Sequence, residues 1–354
     1  MLVMNITIKP YSQEYAAQCA QLERYLWKEN DEERKIRFNW SYIKSPLSEN
    51  PLCVIAVKED DEVIGFRGYF LNKFLVNGRE VLTAEICDTV VAPEFRRQGV
   101  FQKMNKFSLS YLKNNGVEMI IDLGPSWPPY HGNKKLGFED LSHFHSKYKF
   151  GIISILKDKL FRFKRNNWII GSTSHYNAGN VTYSITSEID NLIISQIEKL
   201  DVSSKIHSSQ RPDILQWRFS RPGHTYIYAY ALDMSNNLLA FIMFSTNDNF
   251  NFQMGFSLYN NIGVVKRLFK RFINVCKPST IAAWDFATDK NTQEFLRKTG
   301  FISLPFINKI RNNPPSLVRT LLTNEDGSLN WNIEGVDIRK VENWAINKFD
   351  LDSF

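Results

Sequence analysis

The chain has 354 residues, of which 43% are hydrophobic and 23% charged, and its formal net charge is +7. These values are typical of a globular protein long enough for two domains, and the sequence has no run of roughly 18 apolar residues that would cross a membrane. The first segment, MLVMNITIKPYSQEY, lacks a basic region followed by a long apolar core. We therefore expect no signal peptide and a cytoplasmic protein.

The spacing of the cysteines and the distribution of charge indicate which kinds of ligand the protein is expected to bind. Four cysteines, at positions 19, 53, 87 and 276, lie singly, without the paired spacing of a zinc site, so we expect reduced thiols and no metal. Lysine and arginine are spread along the chain instead of forming a dense tract, which argues against nucleic acid as a partner. A positive balance also suits a small ligand rich in phosphate.

The first half predicts a hairpin, a turn, a helix and a late strand. FNWSYI (38–43) precedes LCVIAVKEDDEVIGFRGYFL, in which an acidic turn separates two apolar runs. GVFQKMNKFSLSYLKNNG (99–116) then has apolar residues at helical spacing. The strand VEMIIDLG leads to a closing turn, NKKLGF (133–138).

The second half repeats this order of elements. LQWRFS (215–220) precedes TYIYAYALDMSNNLLAFIMFS, again two apolar runs about a polar turn. IGVVKRLFKRFINVC (262–276) places apolar residues four apart on one helical face. The strand TIAAWDFA and the turn LRKTGF (296–301) follow.

The glycine spacing supports a shared unit. Gly99 and Gly137 are 38 residues apart, and Gly263 and Gly300 are 37 residues apart. We therefore predict two tandem α/β domains, 1–150 and 181–354, joined by a linker region at 151–180. Within that region, the basic amphipathic stretch LKDKLFRFKRNNW is expected to dock as a helix on its own protein, with a membrane surface as the alternative.

The stretch VVAPEFRRQGVFQKM (90–104) predicts an anion site. The first N–H groups of a helix have no partner within the helix, and the helix dipole adds about half a positive charge there. Gly99 lets the backbone approach an oxygen closely, and Arg96 or Arg97 supplies charged contacts. A pyrophosphate fits this turn.

These residues resemble the acyl-CoA site of the GNAT superfamily of N-acyltransferases. The resemblance rests on the pattern V-x-P-x-x-R-x-x-G-V-F, which lies after a strand and before a helix and is followed by K-K-L-G-F at 134–138. The family form is Arg or Gln, two residues, Gly, one residue, then Gly or Ala; Arg96 and Gly99 match it, and Phe101 departs from it. The second half has NNIGVVKRL instead and resembles a GNAT domain without its CoA loop. The resemblance implies that the residues binding acyl-CoA are Val90, Val91, Arg96, Arg97, Gln98, Gly99, Val100, Phe101 and Ser126.

The resemblance also implies a fold and a reaction. It implies an α/β (α+β) protein of two GNAT-like domains, each a mixed, mostly antiparallel sheet flanked by helices. The tandem order, with NW and QWRF before the hairpins and NWNIEGVDIRKVENW near the end, is similar to dTDP-3-amino-3,6-dideoxyhexose N-acyltransferases of O-antigen biosynthesis. Transfer of an acetyl or 3-hydroxybutyryl group from acyl-CoA to a nucleotide-linked amino sugar is then expected.

Other functions and the assembly state are left open by the sequence. An aminoacyl group, a peptide or a polyamine is an alternative acceptor, although a polyamine fits poorly with a positive protein. A CoA-binding module without catalysis is the non-enzymatic alternative. A homodimer is expected from the aromatic content of 14%.

The strand TAEICDTVV supplies the candidate general bases. In the implied mechanism the acceptor amine attacks the thioester directly, and backbone N–H groups near Val91 polarise its carbonyl. GNAT enzymes commonly use a carboxylate on this strand as base, which implies Asp88 first and Glu85 second. Because side chains alternate along a strand, these two are expected on opposite faces. The alternative for each is an ion pair with Arg67 or Arg79.

Two further groups of residues are candidates for acid catalysis and acceptor binding. Tyr130 is the candidate acid for the leaving thiolate, although the family more often uses the position of Asn133. His131 is an alternative base, because an unperturbed imidazole titrates near about 6.5. In the second half, stacking and bidentate pairing would suit a nucleotide base and diphosphate, with packing between the domains as the alternative. The residues concerned are Trp217, Arg218, Arg221 and Tyr226.

Overall fold

The computed structural model describes residues 5–151, 173–246, 251–304 and 313–351. The predicted amphipathic stretch LKDKLFRFKRNNW lies outside the described residues. The chain divides into two compact units, Met1–His143 with Asn313–Val341 and Phe144–Asn312 with Glu342–Phe354. Within the described ranges, no helix is both long enough and apolar enough to cross a membrane.

Both units combine β-strands with α-helices. The strands of the described residues are β1 (Thr7–Pro10), β2 (Val54–Val57), β3 (Val63–Val76), β4 (Arg79–Val91), β5 (Met119–Asp122), β6 (Glu139–Ser142), β7 (Ser146–Phe150), β8 (Ser174–Ala178), β9 (Val181–Thr186), β10 (Ile206–Ser208), β11 (Thr225–Asp233), β12 (Leu238–Thr246), β13 (Asn251–Tyr259), β14 (Thr280–Trp284), β15 (Ile302–Ser303), β16 (Ser316–Thr320), β17 (Asn332–Ile333), β18 (Val336–Asp337) and β19 (Trp344–Ala345). The α-helices are α1 (Ala16–Leu22), α2 (Asp31–Phe38), α3 (Val100–Asn114), α4 (Trp127–Lys134), α5 (Asn191–Ile197), α6 (Pro212–Phe219), α7 (Ile262–Cys276) and α8 (Lys290–Lys298).

The sheet of the first unit has the order β1-β2-β3-β4-β5-β16-β6. Along this order the pairs are antiparallel except β4 with β5, which run parallel. Cys19 of α1, Phe38 of α2 and Met104 of α3 bury their side chains in one core cluster. A second cluster joins Leu112 of α3 to Leu317 of β16. These helices therefore pack on the part of the sheet that leads into the predicted anion-binding turn after β4.

The sheet of the second unit has the order β15-β7-β14-β13-β12-β11-β9-β8. Here too one pair, β13 with β14, is parallel, and the other neighbours run antiparallel. The amphipathic face of α7 packs on this sheet, with the rings of Phe244 and Phe272 stacked at 3.8 Å between centroids. The predicted fold class, α/β with mixed and mostly antiparallel sheets, is confirmed.

The unit boundaries differ from the predicted 1–150 and 181–354 at two strands. Strand β7 pairs with β14 and β15 in the second sheet, and β16 pairs with β5 and β6 in the first. In each of the two strand orders given above, one strand thus comes from the other half of the chain, at the corresponding position. A linear pattern assigns a strand to its nearest hairpin, whereas strand pairing depends on contacts between distant residues.

The cysteines are free thiols. Three of them are buried, and Cys87 is half-buried. Burial raises the pKa of the Cys276 thiol to about 12 and raises the pKa of Cys19 and Cys53 further, chiefly by desolvation. The three buried thiols therefore stay protonated and are poor nucleophiles.

Candidate functional site

Strands β4 and β5 separate partway along their length. Their parallel pairing covers Thr83–Glu85 and Met119–Ile121, while β4 continues along β3 to Val91. Successive N–H groups of a regular strand point to opposite sides, so some N–H groups of β4 beyond Glu85 face the side from which β5 has departed. These groups are suitable donors for the carbonyl oxygens of an extended ligand.

The turn after β4 has the backbone of an anion-binding loop. A single 3-10 turn, Pro93–Phe95, is followed by Arg97 with φ 63° and Gly99 with φ 77°. Gly99 is the N-cap residue of α3 and has no side chain that bonds to the first turn, so the helix N-terminus keeps its donors for a ligand. A Cβ at Gly99 would meet no atom within 4 Å. The glycine is needed for its left-handed backbone, not for lack of space.

The side chains of the turn are partly engaged in holding it together. Arg96 donates from Nε to the Val91 carbonyl at 2.9 Å, and Gln98 donates from Nε2 to the Glu94 carbonyl at 3.0 Å. Arg97 is exposed. Arg96 thus fastens the turn to the end of β4 and keeps most of its guanidinium N–H groups available.

A cavity of about 510 Å³ lies against this turn. Seven of the nine predicted acyl-CoA residues line it, and Gln98 and Ser126 do not. Sequence reasoning missed six lining residues. Phe95 and Gln102 lie within the stretch 90–104 and Thr89 directly precedes it, whereas Leu26, Pro128 and Pro129 come from outside it. The complete lining is Leu26, Thr89, Val90, Val91, Phe95, Arg96, Arg97, Gly99, Val100, Phe101, Gln102, Pro128 and Pro129.

Asp88 is held by three donors on its own unit. Trp27 donates from Nε1 at 2.6 Å, the Tyr42 hydroxyl at 2.8 Å and Arg37 from Nη1 at 3.0 Å. A carboxylate has about four lone-pair positions, and Asp88 also forms a side-chain hydrogen bond with Glu23, so little capacity remains for the proton of an acceptor amine. Asp88 is 4% exposed and is not among the residues that line the cavity. Its arginine partner is Arg37, not either of the two expected.

The expected alternation of side chains on β4 is wrong at one point. The register shifts from Tyr69 opposite Ile86 to Arg67 opposite Thr89, so that two residues of β4 oppose Gly68. This β-bulge turns both of them toward one hydroxyl, because Tyr42 Oη lies 3.0 Å from the Cys87 sulfur and 2.8 Å from Asp88. A Cβ on Gly68 would overlap the Tyr42 ring. The glycine therefore makes room for this contact.

A second buried carboxylate, Glu23, shares Arg37 with Asp88. Arg37 donates from Nη2 to Glu23 at 2.6 Å and from Nε to Glu29 at 3.0 Å. Glu23 is fully buried, and desolvation together with the negative charge of Asp88 raises its pKa to about 9. Glu23 is accordingly protonated at neutral pH, and no pattern in the sequence points to this cluster.

Glu85, the second candidate base, lies where the two strands begin to separate. It is 1% exposed and pairs in register with Phe70 of β3 and Ile121 of β5. It is not among the cavity-lining residues. An acceptor amine could contact Glu85 only at the point where β4 and β5 begin to separate.

Helix α4 holds the other predicted catalytic residues on the surface of the first unit. The Tyr130 hydroxyl donates to Asp140 at 3.0 Å, and desolvation followed by this hydrogen bond raises the pKa of Tyr130. His131 is exposed and stacks on Trp127 at 5.7 Å between ring centroids. Asn133 is buried and donates to Asp122 at 2.9 Å. It ties the helix to the end of β5.

The second unit has no comparable loop between its strand β13 and helix α7. The strand ends at Tyr259 and the helix begins at Ile262. The side chain of Asn261 accepts from Gly263 N at 2.7 Å and from Val264 N at 3.3 Å. The first-turn donors that an anion would use are thus partly satisfied by the protein itself.

Strands β13 and β14 also separate, and a C-terminal segment occupies the opening. Their pairing covers only three registered positions, from Asn251 to Gln253 on β13. The Ile346 N–H donates to the Ala287 carbonyl at 2.7 Å, and the cavity left beside this segment is about 30 Å³. This volume holds a water molecule and excludes a cofactor.

The predicted acceptor residues of the second half are largely engaged within their own unit. Arg218 is 3% exposed, donates to the Phe349 carbonyl and to the Leu351 carbonyl at 2.7 Å, and lies over the Phe349 ring. Binding of a diphosphate by Arg218 would require these bonds to break. Trp217 and Tyr226 are also buried; Arg221 is half-buried.

With the loop, the separated strands and the cavity in place, the family comparison agrees with the geometry. Residues 7–139 match the family described as Acetyltransferase (GNAT) domain. The matched range lies within the first unit. A search of curated proteins found no match.

Solved structures of similar fold include N-acyltransferases. A probable N-acyltransferase from Enterococcus faecalis V583 has a TM-score of 0.63 and 13% identity, over 90% of this chain and 73% of that one. A tandem GNAT protein from the clavulanic acid biosynthesis pathway has a TM-score of 0.53 and 10% identity, over 91% and 100%. Saccharomyces cerevisiae N-myristoyltransferase, with bound myristoyl-CoA, has a TM-score of 0.55 and 11% identity, over 98% and 90%. At these identities the likeness concerns the fold alone.

Proposed function

We propose that the protein is an acyl-CoA-dependent N-acyltransferase whose acyl-CoA site is the cavity between β4 and the first turn of α3. The observation that carries this proposal is the cavity of about 510 Å³. The cavity lies beside a helix N-terminus that has no side-chain cap and beside the part of β4 that is no longer paired with β5. The helix end suits the CoA diphosphate. The strand edge suits the amide-rich pantetheine arm and the thioester carbonyl.

The chemistry needs few protein groups. The amine nitrogen forms a bond to the thioester carbon, the carbon–sulfur bond breaks, and the amine proton passes to water or a base. An amine beside electron-withdrawing carbons titrates near about 8, so roughly a tenth of it is already unprotonated at neutral pH and only about one pH unit has to be overcome. The CoA thiolate resembles that of cysteine and leaves without an obligatory acid. Backbone N–H groups on β4 then stabilise the charge that develops on the carbonyl oxygen.

The acceptor that we propose is a nucleotide-linked amino sugar, with acetyl or 3-hydroxybutyryl as the acyl group. Its support is the sequence resemblance of the tandem halves, together with a net charge of +7, which favours a polyanionic acceptor. The competing acceptor is an aminoacyl or peptide amine.

A thiol-release assay tests both parts of the proposal. Acetyl-CoA and 3-hydroxybutyryl-CoA are each offered with dTDP- and UDP-linked amino sugars and with peptide amines. We expect turnover with a nucleotide sugar and a loss of about tenfold in kcat/KM for Arg97→Ala, which removes a charged contact at the cavity rim. Arg339→Ala, whose guanidinium pairs with Asp337, is the matched control and should retain full activity. Turnover with peptides alone rejects the sugar acceptor, and CoA binding without turnover of any amine rejects the enzyme.

A further inference from the structure

Arg67 is a buried cation beside the acyl-CoA cavity, and the inference drawn from it rests on the function proposed above. Arg67 lies on β3 opposite Thr89 of β4 and is 1% exposed. Its Nη1 donates to the Thr89 hydroxyl at 2.6 Å and its Nε to the Tyr69 hydroxyl at 3.2 Å. Among the described residues, no carboxylate forms an ion pair with this guanidinium.

A buried charge without a counter-charge is unfavourable in a protein interior. Arg37 shows the usual arrangement, because it contacts the carboxyl groups of Asp88, Glu29 and the protonated Glu23 in the same unit. Arg67 has two hydroxyl partners instead, and of its five N–H groups about three have no acceptor in the described part of the chain. The folded protein therefore maintains a positive charge that it does not neutralise.

The location of this charge points to a ligand. Thr89 and Phe101 both line the cavity, and both contact Arg67, whose guanidinium lies 5.7 Å from the centre of the Phe101 ring. Phe101 belongs to the first turn of α3, so the guanidinium lies behind the cavity wall at the positive end of that helix. The residues that line the cavity include no carboxylate. An anion that enters it meets only positive and neutral groups.

We propose that Arg67 provides, through Thr89, the positive charge of an anion site in this cavity, and that an oxyanion of the bound acyl-CoA compensates this charge. Two groups of the ligand have the required chemistry, namely a carboxylate at the end of the acyl chain and the diphosphate of CoA. Thr89 transmits the effect to the cavity surface, because a hydroxyl that accepts from a guanidinium becomes a stronger donor. Its proton now goes to the Cys87 carbonyl at 3.0 Å, and a rotation about one bond turns it to the ligand.

Calorimetric titration of the full-length protein distinguishes these sources. The ligands are CoA, butyryl-CoA and succinyl-CoA, of which the last two share a four-carbon chain and differ in the terminal carboxylate. If the acyl carboxylate binds, Arg67→Met weakens succinyl-CoA roughly 10- to 100-fold and leaves the others unchanged. If the diphosphate binds, all three ligands weaken to a similar degree. In either case Arg67→Lys, which keeps the charge, retains most of the affinity, and unchanged affinities in Arg67→Met overturn the proposal.

Thermal unfolding separates this role from a structural one. Replacing an unpaired buried charge with an apolar side chain of similar length leaves the unliganded protein as stable as the wild type or more stable. A purely structural arginine would instead lower the melting temperature of Arg67→Met without ligand. Arg79→Met is the control, since Arg79 pairs with Glu118 and Glu334 at the far end of β4. Failure of the wild type to bind any of the three ligands rejects the proposed function as well; binding that Arg67→Met preserves rejects the Arg67 proposal alone.

Discussion

At the scale of single residues, Glu23 predicts a pH dependence of stability. Burial and the charge of Asp88 raise its pKa to about 9 in the folded protein, whereas an unfolded glutamate titrates near about 4.3. Between these values the folded state binds one proton more than the unfolded state. The free energy of unfolding therefore falls as the pH rises through this window, by up to about 1.4 kcal/mol per pH unit from this residue.

Urea unfolding from pH 6 to 9 measures this dependence. Glu23→Gln mimics the protonated side chain, so we expect a flatter pH profile and a variant more stable than the wild type near pH 9. Glu29→Gln, which alters a more exposed carboxylate on the same arginine, should keep the wild-type slope. An identical slope in Glu23→Gln would show that this carboxyl is not the titrating group.

Gly99 offers a second test with a close internal control. Gly99 and Gly116 have φ of 77° and 81°, and a Cβ at either would meet no atom within 4 Å. Alanine at either position costs about 1 kcal/mol of stability through the left-handed backbone. Only Gly99 lines the cavity, so calorimetry should show weaker CoA binding for Gly99→Ala and wild-type affinity for Gly116→Ala. Equal affinities in both variants would place CoA elsewhere.

The predicted residues that line the cavity are those whose position depends on local geometry. Gly99 and Arg96 belong to one turn, and the turn pattern is visible in a short stretch of sequence. Trp27 and Arg37 contact Asp88, which is 61 and 51 residues away along the chain. Such contacts follow from packing of the helices on β4, which no local pattern specifies.

At the scale of elements, the N-terminus of α7 shows how a capping side chain replaces a ligand. Asn261 bonds to two first-turn N–H groups, so Asn261→Ala should destabilise the protein by about 1 kcal/mol in urea unfolding. Asn261→Gly should cost only a few tenths of this, because glycine is itself a tolerated N-cap. Neither change should alter CoA affinity in calorimetry. A loss of affinity would indicate that this helix end also takes part in binding.

Long periodic helices were predicted well, and a local irregularity was not. The spacing over 262–276 predicts α7 with the observed bounds, Ile262–Cys276, and 99–116 predicts α3 to within two residues at its C-terminal end. The bulge opposite Gly68 was missed, because alternation assumes a regular strand. It depends on Tyr42 packing across the sheet, a contact between residues about 45 positions apart.

At the scale of the whole chain, the tandem repeat does not predict that β7 belongs to the second sheet and β16 to the first. The repeat of hairpin, helix and late strand correctly indicates two similar sheets. It does not determine which copy supplies the strand beside β5 or β14, because β7 and β16 follow the repeated elements and their pairing depends on contacts between distant residues. The observed choice places β16 between β5 and β6, although 194 residues separate Asp122 from Ser316.

This topology makes a prediction that hydrogen exchange can test. A ligand at 100 times its dissociation constant stabilises the folded state that binds it by about 2.7 kcal/mol, and amides that exchange through unfolding of that state gain protection. CoA should therefore slow exchange in β16, because Leu317 and Val318 pair with the β5 residues Asp122 and Ile121. The protection of β16 should rise together with that of β5, and Gly99→Ala should reduce both gains. If CoA slowed exchange in β7 but not in β16, the strand beside β5 would be β7, which is nearer in sequence. That result would contradict the observed pairing of β16 with β5.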